Sequence, residues 1–382
     1  MDYSVLKLHI VQAGRSLERA SSNNYSDKEK QDYHKCLVNL YESAISIVET
    51  QQVHSDTLIK DVKQLLDFIY KSLEFLDSST INLIPYETVE GLKTALKDWT
   101  DPKDKYIIVT SLINQIYGFS FDPTLVEVDG RYQEFKQKYN VNFTSKLVQI
   151  NIPRALSRDY LASVAHYHEL GHFIDKRFVI VDSICRQLLF EIKNNSFNVS
   201  AIVIYFPFLS LNYSDGDLLQ LLNYHLGEYF CDLFASQYVG FALSEYLLYI
   251  TEEQQTYSIT HPASVNRKAV VQDFLQGKDN LIVKIINYAL KQITGKELEI
   301  RHEEPIIDDV FNFLPPVIHN EKQLHGILPM AWKVWQGDWV LFQQNMNMNT
   351  TINPDKVYLV LNNLIEKSIG NYIVERKWNS QT

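Results

Sequence analysis

Apolar residues return every three or four positions through much of the first hundred residues, the spacing of helices that bury one face. Tyr33, Cys36, Leu37, Leu40, Tyr41, Ala44, Ile45 and Val48 form one stripe. Leu58, Val62, Leu65, Leu66, Ile69, Leu73 and Leu76 form a second, with the polar pair Gln51-Gln52 between them and Ser55 placed as a cap. The two are predicted to pack as an antiparallel hairpin. A third helix is expected after Pro85, running toward Trp99, and Thr100-Asp101-Pro102 reads as a boundary. Beyond it the period changes. Val148, Ile150 and Ile152 alternate within residues 141–153, which predicts a strand ended by Pro153. A helix follows, with Ser157 as its expected N-cap and Leu161, Val164, Ala165, Phe173 and Ile174 as its apolar faces. Ser214-Asp215-Gly216-Asp217 then opens a long helix reaching to about residue 249. It is apolar nearly all round, through Leu218, Leu219, Leu221, Leu222, Phe230, Phe234 and Tyr238, and should be central. The end of the chain holds Pro315-Pro316, the aromatic group Trp332, Trp335 and Trp339, and a predicted helix over residues 355–373. The pattern is α+β and predominantly α-helical, in three parts: helical residues 1–100, a mixed segment 101–300 and a helical region 301–382.

Composition narrows the partners. The 382 residues are 46% hydrophobic and 12% aromatic, as in a folded chain. The formal net charge of -10 and 36 scattered basic residues argue against a phosphate-binding surface, so no nucleic acid is expected. Met1-Asp2-Tyr3 carries no basic leader. The most apolar stretch, residues 201–211, is about half the roughly 20 residues of a membrane helix, and Pro207 interrupts it. Cys36, Cys185 and Cys231 are few, odd in number and far apart, which suits a reducing, cytoplasmic setting. The N-terminal helices hold no chemistry-bearing motif and read as a packing bundle or a surface for a protein partner.

Chemistry concentrates in Ala165-His166-Tyr167-His168-Glu169-Leu170-Gly171-His172-Phe173. His168, Glu169 and His172 spell H-E-x-x-H, which on a helix puts two imidazoles a turn apart on one face, able to grip one Zn²⁺. Glu169 is then placed to take a proton from water as general base. A catalytic zinc normally has a third protein ligand. Asp175, one turn on, is one candidate, but Glu228 is the better one. It and Asp232 are acids at i, i+4 on the apolar helix, costly to bury without partners. A zinc ion would serve Glu228, and the N–H of a ligating imidazole, His168 first, would serve Asp232. His225, one turn before Glu228, is a rival ligand. Thr260-His261-Pro262 precedes a further helix holding Arg267; Pro262 suits its first position, and His261 could donate a hydrogen bond into a neighbouring site.

The three blocks together resemble gluzincin metallopeptidases, in particular the family that contains the HtpX heat-shock protease and the type I CAAX prenyl protease. That family shows H-E-x-G-H, E-x-x-x-D-x-x-A and [ST]-H-P-x-x-x-x-R in this order. Here they read His168 to His172, Glu228 through Asp232 to Ala235, and Thr260-His261-Pro262 through Arg267, covering roughly residues 140 to 275. The resemblance implies a zincin-like metallopeptidase core with a small sheet, flanked by helical N- and C-terminal regions. It implies His168, His172 and Glu228 as zinc ligands, Glu169 as general base and acid, and Asp232 behind the ligands. His261 and Arg267 would lie near the substrate or its tetrahedral intermediate. In the expected mechanism the oxyanion is held by zinc and by His261 or a tyrosine such as Tyr224 or Tyr238. In zincin folds an edge strand beside the catalytic helix often pairs with the substrate, and residues 141–153 are the candidate. Cys231 stands where the family often has alanine, an exchange expected to leave the site undisturbed. The implied activity is zinc-dependent hydrolysis of peptide or protein substrates. The long helical flanks also allow a zinc-binding regulatory or scaffolding protein with a silent core.

Overall fold

The computed structural model describes residues 3–25, 28–50, 55–80, 86–114, 118–127, 129–251, 256–337, 339–345 and 353–380. Gln51-Gln52 and Pro85 lie outside these. In chain order the elements begin with α1 (Tyr3–Ala20), α2 (Lys28–Thr50), α3 (Asp56–Asp77) and α4 (Tyr86–Trp99). β1 (Tyr106–Ile113), β2 (Ser120–Asp122), α5 (Thr124–Glu127), α6 (Asp129–Tyr139) and β3 (Lys146–Pro153) follow. Then come α7 (Val164–Phe178), α8 (Ile180–Lys193), α9 (Asp215–Val239), α10 (Ala242–Thr251), α11 (Ser264–Leu275) and α12 (Leu281–Thr294). α13 (Asp308–Phe311), α14 (Glu321–Gln336), α15 (Val340–Asn345) and α16 (Pro354–Asn379) complete the chain. The fold is mostly helical with one small sheet among the described residues. Among them, too, no helix is long and apolar enough to cross a membrane.

The chain folds into two compact units, residues 1–89 with 100–157, and residues 90–99 with 158–382. In the first unit the predicted stripes bury as expected. Leu37, Leu40 and Ala44 of α2 meet Leu65, Ile69, Leu73 and Leu76 of α3 in one core, and Ser55 caps α3 by accepting from the N–H of Leu58. Ile107 and Val109 of β1 and Leu147 of β3 enter the same core, so the sheet groups with the N-terminal helices. Its order is β1-β3-β2, with β1 parallel and β2 antiparallel to β3. The strand expected as a substrate-pairing edge is therefore the middle strand, hydrogen-bonded to β1 along its whole length and to β2 at residues 149–151.

The second unit is built around α9, which packs on α7, α8, α10, α11 and α14. Every described residue from His225 to Gly240 is buried, as the all-round apolar pattern required. Ser214 caps α9. The single helix expected to reach residue 249 instead breaks at Gly240, whose φ of +54° suits a residue without a Cβ, and the chain resumes as α10. α7 also starts later than expected, after Ser163 and not after Ser157, which ends a short 3₁₀ turn. The N–H groups ahead of α7 find acceptors from far along the chain: the Asn362 side-chain oxygen of α16 accepts from Tyr160 at 2.7 Å and Leu161 at 3.2 Å. Trp332 of α14 is buried and donates its indole N–H to the Leu161 carbonyl at 3.0 Å. Trp332 and Trp335 also pack on Tyr249 of α10. Trp332→Ala is expected to lower stability by about 3–5 kcal/mol, through the cavity and the lost hydrogen bond. Chemical denaturation would check this; a loss under about 1 kcal/mol would contradict the docking.

Candidate metal centre

His168, Glu169 and His172 occupy one flank of α7, and all but His172, which is half-buried, are buried. The two imidazoles stand edge to face with centroids 4.9 Å apart, as i, i+4 spacing dictates. Facing them is α9, brought close by Gly171. A Cβ there would come within 2.9 Å of the Cys231 Cα, which is backbone and cannot swing aside. This approach sets Glu228 against both histidines. His168 Nε2 lies 3.4 Å from Glu228 Oε2 and His172 Nε2 lies 3.7 Å from Oε1. Glu228 thus faces both rings, one carboxylate oxygen toward each. The other ring nitrogens are also engaged. His168 Nδ1 is 3.0 Å from Asp232 Oδ1, and His172 Nδ1 is 3.2 Å from Cys231 Sγ.

His168, His172 and Cys231 themselves offer ligand atoms within 4.8 Å of one another and could hold a metal ion. The Cys231 sulfur and the Glu228 carboxylate thus stand against the same pair of histidines. They use opposite edges of the His172 ring, since Sγ faces Nδ1 and Glu228 faces Nε2.

α11 supplies the counter-charge. Arg267 is buried and grips Asp232 with two hydrogen bonds, from Nε at 2.6 Å and a terminal nitrogen at 2.7 Å. The same terminal nitrogen is 3.1 Å from Glu228 Oε2. Burial alone would raise both carboxyls, but Arg267 and His168 outweigh it, holding Glu228 well below and Asp232 below the usual carboxylate range. Burial opposes charge on His168 too, yet its bonds to Asp232 and Glu228 push it up to about 10. His172 is pushed down to about 4 by burial and by the neighbouring His168. Arg267 and His168 are thus the groups that favour the ionised form of both carboxylates.

The remaining expected residues are distributed unevenly. His261 sits at the mouth with a half-exposed side chain, Nε2 3.8 Å from Glu228 Oε1, its ring nitrogen Nδ1 2.7 Å from Thr260 Oγ1. α11 starts at Ser264 after Ala263, so Pro262 precedes the helix and does not open it. Asp175 is not at the site: its carboxylate accepts the Val181 N–H at 2.7 Å at the start of α8. His225 is tied by Nε2 to the Ser258 carbonyl at 2.9 Å, beside the rings of Phe208 and Tyr257. Tyr238 is in the core, accepting from the Trp99 indole at 2.9 Å and donating to Asp98 at 3.1 Å. Tyr224 is exposed one turn before Glu228. A cavity of about 330 Å³ opens beside the centre, lined by His261, Arg267, Asp232, Leu247 and Leu248 among others. Sequence reasoning missed the Cys231–His172 contact and the grip of Arg267 on both acids. The spacing of His261 and Arg267 is readable in the sequence, but only packing shows which groups Arg267 faces. No family model, curated protein or solved structure matches this chain.

Two outcomes follow from these charges. At pH 7 the metal-free centre holds a proton on His168 and none on His172, because their values lie near 10 and 4. An ion taking His168 Nε2 must expel it, so about one proton should be released per Zn²⁺ bound, and affinity should fall about tenfold per pH unit on acidification. Calorimetry in buffers of different ionisation enthalpy reads the count directly; no release would contradict the charge balance. Second, Glu228→Gln should weaken Zn²⁺ binding by more than the roughly 10–100-fold typical of residues behind the ligands, whereas Asp175→Asn should leave it unchanged. Burial raises the folded-state value of Asp175 to about 6, so its ionised form costs stability above that pH. Asp175→Asn should therefore stabilise the fold by about 1–3 kcal/mol at pH 7, a gain that fades as pH falls from 6 toward 3.8. Equilibrium dialysis and denaturation at several pH values check both.

Proposed function

We propose that this chain is a zinc-dependent peptidase in which His168, His172 and Glu228 hold Zn²⁺ and Glu169 is the general base and acid. The observation that carries the reading is the convergence of two imidazole nitrogens on one buried carboxylate at 3.4 and 3.7 Å. Glu228 is preferred to Cys231 as third ligand because one ring cannot turn both nitrogens to one ion. With Nε2 of both histidines aimed at Glu228, the sulfur lies on the far edge of His172. The three ordered blocks support kinship with the gluzincins that include HtpX, and a zincin-like core. Free thiols at Cys36, Cys185 and Cys231 agree with a reducing, cytoplasmic setting.

A zinc ion held there would supply Lewis acidity, lowering the pKa of a water toward neutrality. The chain's residues supply the rest. Glu169, about 60° round α7 from His172 by helix geometry, accepts the water's proton on a carboxylate oxygen and later delivers it to the leaving amine nitrogen. Asp232 accepts from His168 Nδ1–H, which keeps Nε2 free as a donor atom, and Arg267 keeps Asp232 ionised. Half-exposed beside Glu228, His261 is placed to donate to the oxygen of the scissile carbonyl as charge develops on it. The substrate is a peptide or protein, with the cavity beside His261 available to a side chain.

Glu169→Gln is expected to keep its zinc and lose peptide cleavage by about 10²–10⁴-fold. A proteome-wide cleavage comparison of wild type with this variant would reveal the substrates. Stoichiometric zinc with no cleavage by wild type would instead support a regulatory or scaffolding protein with a silent core.

A further inference from the structure

We propose that Cys231 is the positioning residue of His172: its sulfur accepts the Nδ1 proton of the imidazole and so turns Nε2 toward the ion. The inference deepens the zinc reading and rests on it. A histidine that ligates through one nitrogen carries its proton on the other, and the acceptor of that proton sets the tautomer and the ring plane. His168 has such an acceptor in Asp232 Oδ1 at 3.0 Å; His172 has Cys231 Sγ at 3.2 Å. The two acceptors are consecutive residues of α9, and the two imidazoles are one turn apart on α7. A single dipeptide therefore orients both ligands.

The packing makes this specific. Gly171, beside His172, lets α9 approach so closely that a Cβ at 171 would lie 3.2 Å from the Cys231 sulfur. Cys231 is fully buried, which shields the contact from competing water. Alanine at 231, the small residue expected to be equivalent, would leave His172 Nδ1 facing a methyl group with no acceptor. A neutral sulfur is also a weaker acceptor than a carboxylate, so His172 is the more loosely held ligand of the pair.

The test uses the full chain as wild type, Cys231→Ala and Cys231→Ser, titrated with Zn²⁺ and with Co²⁺, plus nitrogen-15 NMR of the histidine rings. Cys231→Ala should bind Zn²⁺ about tenfold more weakly, at the low end of the roughly 10–100-fold cost of losing an orienting partner. Cys231→Ser, which keeps an acceptor, should return to within about threefold of wild type. In the zinc-loaded wild type the Nδ1 proton of His172 should exchange slowly with solvent, and in Cys231→Ala rapidly. The cobalt-loaded wild type should show no thiolate-to-cobalt charge-transfer band. Wild-type affinity and slow exchange in Cys231→Ala would overturn the inference and leave the zinc reading standing. A thiolate band that disappears in Cys231→Ala would overturn it too, by making the sulfur a ligand in place of Glu228. Absence of Zn²⁺ and Co²⁺ binding by wild type would remove the zinc reading itself. Should Cys231→Ala fail to fold, the wild-type proton decides: rapid exchange overturns the inference.

Discussion

Two carboxylates buried in an apolar helix are the constraint on which this centre depends. Glu228 and Asp232 sit within the stretch of α9 that has no exposed residue, and neither charge could stay there unpaired. Arg267 from α11 and His168 from α7 answer them at hydrogen-bonding distance. The cluster is consequently a tie between three helices as well as a place for an ion. Ion pairs of this kind add little net stability against an apolar alternative, but removing one member strands a charge at about 3–5 kcal/mol. Such a cluster fixes which helices face one another and in what register.

The approach at Gly171 is the steric half of the same arrangement. A methyl group there would meet the α9 backbone, so the residue between Leu170 and His172 determines how near Glu228 stands to the two rings. Groups with the right chemistry but the wrong neighbours are used elsewhere. Asp175 caps α8, His225 holds the Ser258 carbonyl, and Tyr238 ties α9 to α4 through Trp99 and Asp98. Each lies on α7 or α9, within a few turns of His172 or Glu228, yet each is spoken for by a backbone or core partner.

The C-terminal helices belong to the same frame. Asn362 satisfies the amides ahead of α7, and Trp332 holds the Leu161 carbonyl. The start of the histidine helix is thus determined some 200 residues downstream. Amphipathic periodicity reports that a helix has a buried face and not what covers it.

Local order was legible in the chain because it obeys short-range rules. The stripes of α2 and α3, the Ser55 and Ser214 caps, the burial of α9 and the shared face of His168 and His172 all follow from 3.6-residue geometry, which no distant segment alters. Tertiary structure alone decided which donor stands opposite the histidines, which ring nitrogen faces it, what Arg267 neutralises, where α9 breaks and which helices the sheet joins. Those outcomes turn on contacts between residues separated by 35 to 202 positions, such as Arg267–Asp232 and Tyr160–Asn362. Side-chain spacing along one helix holds no record of the partner helix, and close packing admits only one of the many pairings that hydrophobic pattern permits.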